Sequence, residues 1–127
     1  MFFCSLAAIA FLIYSCSKTS DEVQSGNNPP PGNPGSCDTV NMHYQADVVP
    51  ILSANCYSCH GTTTNSGSQG IILEGFENIK PRAENGKLIG AITHAEGFPQ
   101  MPKDGPKLSD CNINKIKSWV NNGIQNN

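Results

Sequence analysis

"NCYSCHGTTT", residues 55–64, sets two cysteines three positions apart and puts a histidine directly after the second. Thiols at that gap reach both vinyl groups of one porphyrin, and the imidazole beside them turns to the iron. Cys56 and Cys59 are therefore the expected attachment points of one covalent haem c, and His60 the expected ligand of its iron. Three competing chemistries fit the stretch less well. A structural zinc site takes four ligands, yet the chain has no second Cys-x-x-Cys and no nearby histidine pair. A thioredoxin-type dithiol needs a strand–helix–strand setting with its first thiol at a helix start, whereas this motif closes a predicted helix. A plain disulfide beside an incidental histidine is the third.

That predicted helix lies in "QADVVPILSANC", where Val48, Ile51 and Leu52 share one face and Cys56 follows a turn later. Pro50 is tolerated only in a first turn, where its missing N–H has no intrahelical partner, so the helix is expected to begin near Ala46 or Asp47. Residues 62–102 are rich in glycine, with short apolar pieces. They predict loops and one or two short helices, "GKLIGAITH" being the better candidate, with a strand at "GIIL" left open. The last segment, "LSDCNINKIKSWVNNGIQNN", predicts the clearest helix. Ser109 is an N-cap, Asp110 places negative charge in the first turn, and Ile113, Ile116, Trp119 and Val120 form an apolar stripe. Gly123 stands where a C-terminal cap belongs. The two terminal helices are expected to pack together across one edge of the haem.

An iron held by His60 has a second axial position. Met101 is the first candidate, since Pro102 beside it restricts the backbone that must present a soft thioether. His94 is the rival, and the residues alone leave that choice open. Met42 lies too near the linker boundary to be favoured, and His43 reads as a surface residue.

Toward the N-terminus, "MFFCSLAAIAFLIYSC" carries no charged side chain. It is short of the roughly 20 apolar residues of a membrane span and has the length of an export signal. Its end resembles a relaxed bacterial lipobox, which implies lipid on Cys16; an uncleaved anchor is the alternative, and both place the rest outside the cytoplasm. Residues 17–36, rich in Ser, Asn, Pro and Gly, cannot bury enough surface to offset their ordering entropy and read as a tether. Residues 37–127 remain as one small domain, of a size that buries only about 60–65% of its unfolded surface and gains from a covalent or metal staple. Six cysteines then sort: Cys4 in the signal, Cys16 to lipid, Cys56 and Cys59 to haem, with Cys37 and Cys111 left to pair in an oxidising compartment. Other pairings remain formally open. Ten acidic against eight basic side chains, net −2, offer no electrostatic case for nucleic acid.

"CYSCHG", followed by "MPKDGPKLSDCNINKIKSWVNNG", resembles a small mono-haem class I c-type cytochrome domain. The likeness spans about residues 38–124. It is nearest in pattern to lipid-anchored cytochrome domains of Bacteroidetes-type bacteria, which begin "CDT" and carry "DVxPIL" before the haem motif. The resemblance implies an all-α cytochrome c-like fold, thioether bonds at Cys56 and Cys59, proximal His60, a distal methionine, and electron transfer rather than enzymatic turnover. A Met/His pair raises the potential relative to bis-histidine ligation. Redox proteins are the expected partners, and Lys103, Lys107, Lys115 and Lys117 either steer an acidic partner or form a merely solvated face. A haem-based sensor, a peroxidase-like module and a non-haem thiol redox protein are the alternatives. Only one Cys-x-x-Cys-His occurs, against the second haem that peroxidase chemistry usually uses.

Overall fold

A computed structural model of the chain describes residues 37–64 and 67–127. The expected signal at 1–16, the lipid-bearing Cys16 and the linker at 17–36 lie outside the described residues. Within them the protein is all-α: a π-helical turn (Tyr44–Val48) runs into α1 (Val49–Asn55), followed by α2 (Tyr57–His60), α3 (Phe76–Glu84), α4 (Lys87–Ile92) and α5 (Asp110–Asn121). Among the described residues there is no strand, and "GIIL" is irregular backbone. No described helix is long and apolar enough to cross a membrane.

The first helical segment begins earlier than its proline suggests. Pro50 does sit in the first turn of α1, but a wider turn precedes it, closed by Val48 N–H to the His43 carbonyl at 3.3 Å. The Asp47 carboxylate accepts from the His43 N–H at 2.8 Å and satisfies a donor that the opening turn would leave orphaned. Val48, Ile51 and Leu52 are buried as the stripe requires.

Ser109 caps α5 by accepting from the Asn112 N–H at 3.2 Å, and Ile113, Ile116 and Trp119 are buried. At its other end Gly123, at φ +94°, takes the left-handed conformation that closes a helix without strain. Ile124 N–H reaches the Trp119 carbonyl at 3.2 Å and Gly123 N–H the Val120 carbonyl at 3.1 Å, which satisfies carbonyls the helix end would strand.

The opening turn packs on α5, with the Tyr44 and Trp119 ring centroids 5.5 Å apart. Tyr44, Val48, Leu52, Ile79, Ile116 and Trp119 are the largest fully buried side chains, so the core draws on both chain ends and on α3. Polar ties reinforce the same join: Ser118 Oγ donates to the Thr39 carbonyl at 2.6 Å and Tyr44 N–H to Asn127 Oδ1 at 2.9 Å, while Trp119 Nε1–H holds the C-terminal tail through the Gln125 carbonyl at 2.8 Å. Cys37 and Cys111 form a disulfide, with an S–S distance of 2.10 Å, that joins the start of the described domain to the first turn of α5.

A candidate haem-binding cavity

The Cys-x-x-Cys-His stretch does not simply end a helix. Asn55 closes α1, Cys56 bends the chain, and Tyr57–His60 form a separate single turn. His60 N–H still returns to the Cys56 carbonyl at 2.8 Å, so the two cysteines and the histidine are held in one compact loop of chain. The segment after it is fastened from the other side. Leu73 N–H donates to the His60 carbonyl at 2.8 Å, and both the N–H and the hydroxyl of Thr62 donate to Glu74 Oε2 at 2.7 Å. Those bonds, the backbone one foremost, hold the Glu74 carboxyl below its usual range.

His60 is buried, with 9% of its surface exposed, and its Nδ1 lies 2.9 Å from the Ile71 carbonyl. A carbonyl only accepts, so Nδ1 carries a proton, and in the neutral ring Nε2 is then the nitrogen with the lone pair. This is the tautomer in which an imidazole binds a metal through Nε2 while the other ring nitrogen is anchored to the protein.

His60, Cys56, Cys59 and Met101 line one cavity of about 380 Å³, within the range of about 300 to 1,000 Å³ common for small-molecule sites. Its walls are largely apolar: Ile71 and Leu73 from the segment that anchors His60, Leu88 and Ile92 from α4, and Leu108 before α5. Lys103 is the one charged side chain on the lining. Cys56 and Cys59 are both free thiols. Burial pushes the Cys56 thiol up to about 11, so at neutral pH it is a protonated thiol rather than a thiolate nucleophile.

Met101 reaches the cavity from the loop between α4 and α5. Its backbone is held at both ends, its N–H donating to the Ala91 carbonyl at 3.1 Å and its carbonyl accepting from His94 Nε2–H at 3.0 Å. His94 itself does not line the cavity. The two residues that compete for one axial position in the sequence thus sit in different places. The carbonyl of Ile71 and the ring of His94 carry no sequence signal for these roles, because both act through hydrogen bonds that only the folded loops create. Spacing in "KLIGAI" does mark Leu88 and Ile92 as one helix face, although not what that face lines.

Among the described residues no three of His, Cys, Asp and Glu gather to hold a metal ion, so a zinc site built from protein ligands finds no donor set there. The donor set present, one imidazole and one thioether on an apolar cavity with two thiols, fits a metal that brings its own equatorial ligands. Comparison with protein-family models, curated proteins and solved structures found no match.

Proposed function

We propose that residues 37–127 form a mono-haem c-type cytochrome domain whose activity is electron transfer. Cys56 and Cys59 would hold the porphyrin by thioether bonds, and His60 and Met101 would supply the axial ligands. The observation that carries this is the anchoring of His60 Nδ1–H by the Ile71 carbonyl at 2.9 Å, which leaves Nε2 as the ring nitrogen available to a ligand in a residue that lines the cavity together with both cysteines and Met101. A haem c bound there supplies a one-electron couple at its iron.

The chain's own residues define the rest. Leu73, Leu88, Ile92 and Leu108 make the wall apolar, which limits water at the site and favours the less charged state of whatever it holds. The opening turn and α5 pack on each other through Tyr44 and Trp119, in keeping with a small cytochrome c-like arrangement of terminal helices. Thiol redox chemistry at Cys56 and Cys59 is disfavoured, since a reactive first cysteine needs a lowered pKa and that of Cys56 is raised. The Cys37–Cys111 disulfide supports an exported, oxidising location, to which lipid on Cys16 would tether the domain at a membrane. Redox proteins are the partners that follow. Of the four lysines considered for steering them, Lys107 pairs with Asp110 at 3.4 Å, while Lys103 stays at the cavity.

Intact mass of the purified protein, after acid extraction of loose haem, should exceed that of the polypeptide by one haem. A bare-chain mass would end the cytochrome assignment. Replacing Met101 by Ala should abolish the weak sulfur-to-iron absorption band and make the reduced protein bind carbon monoxide readily. Ready binding by the unaltered protein would instead favour a sensor or peroxidase-like module.

A further inference from the structure

We infer that His94 is a positioning residue that holds Met101 at the cavity; this rests on the cytochrome assignment above and deepens it. A thioether is a neutral, weak ligand, so its occupancy of an axial position depends on how well the chain presents it. Met101 has little packing to present it. Residues 96–100 that lead to it are exposed, and the only large apolar side chain among them, Phe98, is 38% exposed.

What holds the loop is its return to the end of α4. Ala95 N–H donates to the Gly90 carbonyl at 3.0 Å, Phe98 N–H to the Ala95 carbonyl at 3.2 Å, and Met101 N–H to the Ala91 carbonyl at 3.1 Å. The Phe98 ring lies directly on Gly90, where an added Cβ would collide with it. These contacts fix one end of the Met101 residue. Its carbonyl is fixed by His94 Nε2–H alone among the bonds described, at 3.0 Å. His94 stands just past α4 with φ +56°, a left-handed conformation that is uncommon for a side chain larger than glycine. That turn sends the loop back while the ring spans seven residues to reach Met101. Nothing in this role requires the imidazole to touch the iron, and the ring does not line the cavity.

The test uses the holoprotein with His94→Asn and His94→Gln. Asparagine tolerates the left-handed backbone but is too short to reach, whereas glutamine carries an amide N–H on a longer stem. Both variants should keep one covalent haem by mass. The Asn variant should lose much of the sulfur-to-iron band and bind carbon monoxide more tightly by on the order of threefold to tenfold, the weight of one hydrogen bond. The Gln variant should recover most of both, at a melting temperature similar to that of the Asn variant. An Asn variant with an unaltered band and unaltered carbon monoxide affinity would overturn the role of His94 while leaving the haem assignment intact. So would an unaltered protein that carries haem but shows no sulfur-to-iron band, since Met101 would then not be the ligand that His94 is inferred to position. A bare-chain mass for the unaltered protein would remove both proposals together.

Discussion

His60 and Met101 are each held by a hydrogen bond that says more about chemistry than their identity does. For His60 the bond orients the ring; for Met101 it fixes the carbonyl end of a half-buried residue that follows an exposed stretch. Close to the motif, burial first and the neighbouring Tyr44 hydroxyl next push the Tyr57 phenol above its ordinary range. Burial likewise raises Tyr44. Although the two hydroxyls influence each other, that of Tyr44 has no partner in good hydrogen-bonding geometry, so burial is the cause that matters. In the unfolded chain both phenols titrate near 10, and in the fold they stay protonated to higher pH. Their contribution to stability is therefore complete below about pH 10 and is lost as the pH rises past it. Urea midpoints at pH 9 and pH 11 should fall further for the unaltered protein than for Tyr57→Phe. Equal falls would show that Tyr57 carries no such linkage. At this scale Cys56, Cys59 and His60 are legible in sequence because their signal is local spacing, whereas the carbonyl of Ile71 is chemically identical to every other carbonyl in the chain.

The helices divide by whether their ends are written in side chains. Ser109, Asp110 and Gly123 mark both limits of α5, and the structure places the cap and the closing turn where those residues stand. Ser109→Ala should cost about 1 kcal/mol and lower the melting temperature by roughly 4–8 °C, while Ser109→Asp should leave it nearly unchanged. A melting temperature that falls equally for both would show that the side-chain acceptor is not what matters there. The expectation of one or two short helices in residues 62–102 corresponds to α3 and α4, but only α4 was located. Phe76, Ile79 and Ala83 carry the spacing of a helix face, and Ile79 and Ala83 are buried on it. Pro81 within the same stretch hides the pattern, since proline in a helix interior removes a hydrogen bond and is normally read as a break. At the opening turn the reverse holds: Pro50 correctly marks a first turn, yet the wider turn before it follows from Asp47 folding back on His43, which no propensity encodes.

Across the whole molecule, the Cys37–Cys111 bond closes a loop of 74 residues in sequence, for which chain entropy alone suggests roughly 4 kcal/mol. Thioether bonds and iron ligands inside that loop would already restrict the unfolded chain, so the double variant Cys37→Ser, Cys111→Ser should lose about 2–4 kcal/mol rather than more. Thiol counting on the denatured, unreduced protein should find neither cysteine free; an unchanged melting temperature in the double variant would show that the bond is no staple. Arithmetic on six cysteines leaves that pair over once an expected export signal, lipid site and haem motif are assigned the others, although other pairings stay formally open. The helical class and the caps of α5 were equally accessible, since each is carried by residues a few positions apart, where covalent geometry alone relates them; the Cys-x-x-Cys-His spacing on which the proposal rests is local in the same way. The shared cavity, the hydrogen bond that orients the His60 ring and the fact that Met101 but not His94 lines the cavity were not accessible in that way. The cavity gathers residues from Cys56 to Leu108, and the two anchoring bonds join residues 11 and 7 positions apart through loop conformations that local spacing does not specify; burial, a non-directional force, gathers such residues and leaves no pattern at them.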